Sequence, residues 1–307
     1  MKLLLVRFSS IPDIILASPL IRCLKKQVSD LELHFLTDDA CRYTVEFNPY
    51  IDKLHVLAHS WELMVEELKT EGYDWVIDLE HSGASHCLKK EIKAKTISVK
   101  NYSWKQAMYK LSGINLFPSS HRIEQCLETA KTFGVKMDGG WLDYFIAPHE
   151  ETTKNDIPTS HFAGFIACVI ADEDSEQWSL QNWIQFCKEI DHPVILLGDK
   201  KDAARGQEIA ESDPVKIYNA CGKFSFNESA DLIKKSKLVL APATGLLYTA
   251  AAYKRPLVWL YDGRLPSYTR APYPENNKVA AGAKTLYLQR KLKDNANEVM
   301  KDVHYFL

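Results

Sequence analysis

The sequence predicts an α/β protein made of two doubly wound, Rossmann-like units in tandem, and three observations carry that expectation. Short apolar runs alternate with amphipathic stretches along nearly the whole chain. Most of those runs are solidly apolar and do not alternate. One polar segment without apolar period, HEETTKNDIPT at 149–159, interrupts the series. Solid apolar strands separated by helices are the mark of parallel sheets covered on both faces. A chain of 307 residues is long for one domain and comfortable for two. The expected division is 1–155 and 156–307, with a central cleft between the units, facing the strand ends where ligands bind in such sheets.

The elements follow in order. Strands are expected at 2–8, 31–36, 53–57, 73–79 and 94–99, and helices at 13–28, near 38–47 and at 61–71. The stretch 101–133 reads as mostly helical, and Gly139-Gly140 with Pro148 and Pro158 marks the approach to the boundary. The second series has strands at 162–171, 193–197, 215–218, 238–241 and 256–261. Its helices fall at 179–190, 202–211, 225–235 and 244–253, with Ser179 and Ser225 as N-caps, and a final short helix covers 294–304.

Composition excludes several classes. A net charge of -2 gives no electrostatic case for a nucleic-acid partner. The basic stretch HCLKKEIKAK at 86–95 reads as a solvated helix face. Seven cysteines without a CxxC pair read as reduced, mostly buried thiols of a cytoplasmic protein, not as a disulfide framework or zinc site. Arg7, Pro12 and Asp13 interrupt the N-terminal apolar run, so it reads as a first strand and helix and not as a signal peptide. No run is apolar for eighteen residues, so no transmembrane span is expected.

The chemistry-bearing residues sit where strands hand over to helices. In RFSSIPD at 7–13, Ser9 and Ser10 and the amides of the helix start form a polar pocket with a positive dipole end. Asp13 there either takes a proton from an acceptor hydroxyl or caps the helix. Asp202, after the strand at 193–197, either accepts hydrogen bonds from ribose hydroxyls or complements the helix dipole. The stretch LVLAPATGLLYTAAAYKRPLVWLYD at 238–262 reads as strand, Ala-Thr-Gly turn, small-residue helix and strand, the layout of a nucleotide-diphosphate site at the carboxyl edge of a parallel sheet. Asp172, Glu173, Asp174 and Glu176 read as a solvated acidic loop. Trp178 and Trp183 read as core anchors, and Asp38-Asp39 as a helix cap. Gly222-Lys223 lacks the upstream glycine of a P-loop, and the ten histidines show no metal-ligand spacing, so no metal and no cofactor are expected.

RFSSIPDIILASPLIRCLKK, the two-unit layout and NACGKFSFNESADLIKKSKLVLAPATGLLYTAAA together resemble glycosyltransferase family nine, the ADP-heptose:lipopolysaccharide heptosyltransferases. The resemblance spans nearly the whole chain and is strongest over the first twenty-six residues and 215–261. It implies a GT-B architecture, with the acceptor on the N-terminal domain and the nucleotide sugar on the C-terminal one. It also implies metal-independent, inverting transfer from a nucleotide sugar, with ADP as the nucleotide, to a glycan or lipid-linked acceptor. Asp13 then matches the catalytic base, although the glycine usual before it is Pro12. Asp202 matches the acid that holds the ribose, Phe224 falls beside the adenine ring, and Thr244 and Gly245 match the Thr-Gly of the Asp-Thr-Gly diphosphate turn. An acceptor of that kind implies a cytoplasmic protein working at the inner face of the membrane.

The chain departs from that pattern at Ala243 for the Asp of the turn, at Tyr248 for the following His, and at Glu176 for a Lys before Trp. It departs again at Ala171 and Asp172 for a hydroxyl pair, and at Asp262 for a Gly. Each such charge contact is worth about 1–3 kcal/mol, so their joint loss weakens the donor site unless Arg264, Arg270, Lys223 or Lys254 compensates. Two functions follow: a divergent heptosyltransferase-like enzyme, or a catalytically impaired relative that binds a glycan, a nucleotide or a partner protein. A sugar-nucleotide epimerase would need acidic and basic groups around the sugar, for which no His or Glu motif is present.

Overall fold

A computed structural model describes residues 1–57, 60–118, 120–170, 178–261, 267–272 and 287–307. They form two compact units, Met1–Phe145 with Tyr268–Arg270, and Ile146–Ser267 with Ala271–Leu307. The polar segment at 149–159, where the sequence suggests a boundary, therefore begins the second unit. It is pinned there by Asp231, whose Oδ2 accepts from the Thr152 amide at 2.8 Å and the Thr152 hydroxyl at 2.6 Å.

The first unit is built on strands β1 (Lys2–Val6), β2 (Glu32–Asp38), β3 (Lys53–Leu57), β4 (Trp75–Asp78) and β5 (Lys95–Ser98), in the order β3-β2-β1-β4-β5. Every pairing is parallel. β1 lies in the middle, and Leu3, Leu4, Leu5 and Val6 are all fully buried because both sheet faces are covered. One face packs Leu3, Leu5, Leu33, Phe35 and Ile77 against Ile14, Leu20, Ile21 and Leu24. The other packs Leu4, Val6, Leu36 and Val76 against Met64, Val65, Leu68 and Leu88.

The helix expected over 13–28 is two helices, α1 (Ile11–Leu16) and α2 (Ser18–Gln27), hinged at Ala17. Pro19 has no amide to continue the ladder and is tolerated only in a helix's first turn, so the second helix restarts just before it. The stretch expected as a helix near 38–47 is a 3-10 segment, Asp39–Thr44, whose N-cap Asp38 makes no side-chain cap bond. The next helices are α3 (Trp61–Thr70), α4 (Gly83–Glu91), α5 (Ser103–Ser112) and α6 (Arg122–Glu128).

The second unit carries β6 (Ile166–Val169), β7 (Val194–Leu197), β8 (Ile217–Asn219), β9 (Leu238–Pro242), β10 (Leu257–Tyr261) and β11 (Tyr287–Lys291). These pair in parallel as β11-β10-β9-β6-β7-β8. The helices are α7 (Leu180–Glu189), α8 (Ala203–Ala210), α9 (Phe226–Lys235), α10 (Gly245–Ala252) and α11 (Ala296–Phe306). Ser179 caps α7 through the Asn182 amide, and Ser225 forms a capping box with Glu228 on α9. Trp178 and Trp183 are buried and meet edge to face, with ring centroids 4.8 Å apart. No cysteine forms a disulfide among the described residues; six of the seven are buried and Cys87 is exposed. Strand β11 escapes the sequence reading because Gln289, Arg290 and Lys291 mark an edge and break the apolar run.

Candidate active site

The first cluster forms where β1 and β4 end. Arg7 follows β1 directly and turns back under the loop after β4, donating from Nη1 to the Leu79 carbonyl at 2.7 Å. That loop is shaped by Asp78, a fully buried carboxylate that takes the Glu80 and His81 amides on Oδ1 and the Ser85 hydroxyl and Lys89 ammonium on Oδ2. Burial works against the Asp78 charge, but these donors outweigh it and hold the carboxyl below its ordinary range. Lys89 sits in the basic stretch expected to be a solvated face. Its ammonium instead lies 2.6 Å from Asp78 and is mostly buried.

Asp13 lies in the first turn of α1, and only 5% of its side chain is exposed. Its carboxylate does not cap the helix. Oδ2 accepts from Arg7 Nη2 at 2.7 Å, from Arg270 Nη2 at 3.2 Å and from the Ser10 hydroxyl at 3.3 Å. Oδ1 faces Arg270 Nη2 at 3.1 Å and Arg122 Nε at 3.5 Å but accepts no well-aligned hydrogen bond. Arg122 comes from the first residue of α6, and Arg270 from the short segment that folds with this unit. Glu80 Oε2 completes the group 3.4 Å from Arg7 Nε. Burial alone would raise the Asp13 pKa, but the fields of Arg270, Arg7 and Arg122, with the Ser10 hydroxyl, override it and leave the carboxyl below its ordinary value. Among the described residues, three guanidinium groups thus face two carboxylates. Ser9 is exposed at the rim and Ser10 half-buried beside Asp13.

The second cluster lies at the carboxyl edge of the second sheet. β9 ends at Pro242, exposed Ala243 makes the turn, and Thr244 is the N-cap of α10, with Gly245 as its first residue. Thr244 is buried, its side chain caps no amide, and its Oγ1 has no hydrogen-bond partner among the described residues. The first turn of a helix carries free amides and the positive end of its dipole. Tyr248 is one turn on, buried in the core.

Asp202 ends the 3-10 turn that opens α8. It is buried, and its Oδ2 accepts the Asp199 amide at 2.8 Å in a capping box. Phe224 is half-buried in the turn between β8 and α9. Gly222 in that turn has φ +71°, and a Cβ there would stand 2.8 Å from the Lys200 Cα, so the approach of the two loops requires glycine. Among the cations proposed to compensate the donor side, Arg270 sits on Asp13, Lys223 lies 4.4 Å over the Tyr218 ring, and Lys254 is exposed. Ala171, Asp172, Glu176, Asp262 and Arg264 lie outside the described residues.

Sequence reasoning singles out Asp13 but misses Arg122, Glu80 and Asp78. Only Arg7, in the quoted turn, carried a local signal; the others arrive from distant elements.

The pattern of glycosyltransferase family 9 (heptosyltransferase) matches residues 61–299. A lipopolysaccharide heptosyltransferase 1 from Campylobacter coli is 22% identical, with 91% of this chain and 89% of that protein aligned. Among solved structures, a family 9 glycosyltransferase from Veillonella parvula superposes with a TM-score of 0.80 at 15% identity, covering 99% of this chain and 96% of its own. The E. coli heptosyltransferase WaaC with ADP gives a TM-score of 0.75 at 18% identity, covering both chains completely. The fold is therefore GT-B, and this chain belongs to glycosyltransferase family 9, the heptosyltransferase family.

Proposed function

We propose that this protein is an active, inverting glycosyltransferase that moves a sugar from a nucleotide-sugar donor to a hydroxyl of an acidic acceptor, without a metal in the step. The acceptor hydroxyl attacks the anomeric carbon and gives its proton to Asp13. The bond to the diphosphate breaks, and the nucleoside diphosphate leaves with the electron pair. The observation that carries this reading is Asp13 itself. It is a buried, ionised carboxylate at the carboxyl end of β1, and its Oδ1 is left without an aligned hydrogen bond. That oxygen keeps lone pairs for an incoming hydroxyl.

The convergence of three guanidinium groups on Asp13 supports an acceptor bearing a carboxylate or phosphate near the reacting hydroxyl, consistent with the lipopolysaccharide named for the Campylobacter relative. An incoming anion also draws the arginines partly off Asp13, which raises its basicity when the acceptor is bound. On the donor side, the Thr244 hydroxyl and the amides opening α10 would receive the diphosphate, ADP being the nucleotide implied. Phe224 would lie beside the base, and Asp202, within its capping box, would hold the loop against the ribose.

The test is turnover by the purified protein with a panel of ADP-sugars and acidic acceptors, with the product anomer read by NMR. Inverted product at equal rates with and without Mg²⁺ supports the proposal. Absence of both donor binding and transfer across the panel overturns it and leaves the second reading, an impaired binding protein. That reading is favoured by one observation: Ala243 and the buried Tyr248 offer the donor side no charge at the turn.

A substitution isolates the donor site. Thr244→Val removes a buried hydroxyl that bonds to nothing among the described residues, so thermal stability should stay equal or rise. A hydrogen bond to a charged group is worth about 1.5–3 kcal/mol, so KM for the donor should rise by about 10- to 100-fold. Unchanged KM would remove Thr244 from the donor site.

A further inference from the structure

We propose that the first unit holds a divalent transition-metal ion of the zinc class at His34, His55 and Glu71, residues that take no part in the Asp13 cluster. These three residues are the one group of converging metal-ligand atoms among the described residues, all within 4.8 Å of one another. His34 is on β2 and His55 on the neighbouring β3, both almost fully buried. Their rings meet with His34 Nδ1 3.1 Å from His55 Nε2, and the Tyr73 hydroxyl lies 2.8 Å from the first and 3.0 Å from the second.

The outward nitrogens decide what the inward ones carry. His34 Nε2 lies 2.9 Å from Glu32 Oε1, so its hydrogen points outward. His55 Nδ1 lies 3.0 Å from Glu67 Oε1; the pair is not aligned as a hydrogen bond, but only a hydrogen on Nδ1 makes that approach favourable. Both inward nitrogens then present lone pairs to the same point. One phenolic hydrogen can satisfy only one of them, and the other faces a neighbouring lone pair in a dry interior. A cation at that point resolves the conflict.

The geometry suits a tetrahedral ion. Metal–nitrogen bonds of about 2.0–2.1 Å place neighbouring ligand atoms about 3.4 Å apart. The observed 3.1 Å needs to open by only a few tenths of an ångström. Glu71 supplies the carboxylate and Tyr73 closes the fourth side. Glu32 and Glu67 stand behind the two imidazoles, the carboxylate–histidine arrangement that orients metal-bound histidines. Glu71 now holds Lys2 at 2.7 Å and Lys53 at 2.5 Å. When Glu71 turns to the metal, each lysine keeps a second carboxylate, Lys2 with Glu32 at 3.0 Å and Lys53 with Glu67 at 3.2 Å. Three carboxylates against two ammonium groups leave the surroundings net negative, which favours a dication. Two imidazoles and a carboxylate match zinc, cobalt, nickel or copper, not magnesium or calcium. The ion would tie β2, β3 and the chain leaving α3 together, a structural role.

The test is titration of the full, reduced chain with Co²⁺, followed by visible absorption and competed with Zn²⁺. One equivalent should bind with the strong bands of a tetrahedral site and no sulfur-to-cobalt charge transfer, and Zn²⁺ should raise the melting temperature. His34→Gln and His55→Gln should abolish the bands. Tyr73→Phe should weaken binding by about 10- to 100-fold, and Cys87→Ser should change nothing. Should a histidine variant fail to fold, Glu71→Gln, at the edge of the cluster, must still weaken Co²⁺ binding. No binding by the wild type, bands that survive His55→Gln or Glu71→Gln, or a thiolate signature would each overturn the proposal.

Discussion

Asp13→Asn should lower kcat by about 10²- to 10⁴-fold, the usual contribution of a positioned general base, and should also destabilise the first unit by about 3–5 kcal/mol. The second effect is electrostatic. Removing the central carboxylate leaves Arg7, Arg122 and Arg270 facing one another without the group that all three share, and an uncompensated buried charge is among the costliest single lesions. The two effects separate by measurement. Inorganic phosphate, which the arginines can hold in place of Asp13, should restore urea stability by mass action without restoring turnover. A variant that is stable without phosphate, or active, would contradict the assignment.

The sign of the pH dependence follows from the same contacts. The folded pKa of Asp13 is depressed, burial notwithstanding, by Arg270, Arg7 and Arg122. Its stabilisation is therefore complete above the unfolded carboxyl value, about 4, and is lost as pH falls through the lower folded value. The acid limb of kcat/KM should likewise lie below the ordinary aspartate range. Arg122→Gln should shift it upward.

Arg22→Met is the second large expected effect, about 3–5 kcal/mol of lost stability at neutral pH with no change in donor KM. Arg22 is buried on α2 and holds the chain segment that closes the first unit. Nε and Nη2 grip Asp138 bidentately at 2.8 and 2.9 Å, and Nη1 donates to the Trp141 carbonyl at 2.9 Å and to Asp143. Methionine fills the stem but leaves Asp138 and Asp143 without their cation. The grip, with the Gly140 amide, holds the Asp138 carboxyl well below the usual carboxylate range. The Asp138 part of this stabilisation therefore persists above the unfolded value and fades as pH drops through the folded one, whereas at Asp143 burial outweighs Arg22 and leaves the carboxyl above its ordinary value. Denaturant titration at neutral and acid pH checks both parts; a loss under about 1 kcal/mol would show the segment is held by packing alone. Gly140 belongs to the same device: a Cβ there would lie 2.6 Å from Arg22 Nη2. The Gly139-Gly140 pair read from sequence as punctuation before a boundary thus also serves the approach of a guanidinium.

Much of the fold is legible in sequence because it is local. The solid apolar runs of β1, β6, β7, β9 and β10 announce parallel strands buried on both faces, and Ser179 and Ser225 announce the starts of α7 and α9. Where local signals conflict, the reading slips. Pro19 divides a helix whose apolar period runs through it, and β11 hides behind the charged side chains of an edge. The candidate site is half legible. Asp13, Thr244 and Gly245 stand at strand–helix junctions that any doubly wound sheet turns toward ligand. Arg122 and Arg270, by contrast, stand in stretches without pattern and reach Asp13 only because α6 and the segment Tyr268–Arg270 return to the end of β1.

The sequence by itself determined the two parallel sheets, the caps of α7 and α9, the family, and the strand–helix junctions at which Asp13 and Thr244 stand. Only the tertiary structure decided that Asp13 is caged by arginines and that Lys89 serves a buried carboxylate. It also decided that His34 and His55, twenty-one residues apart, share one dry point with Tyr73. Periodicity reports which side of an element faces inward. Which charged groups meet there is fixed by strand register and by where distant segments return, and neither is written in any window of the chain.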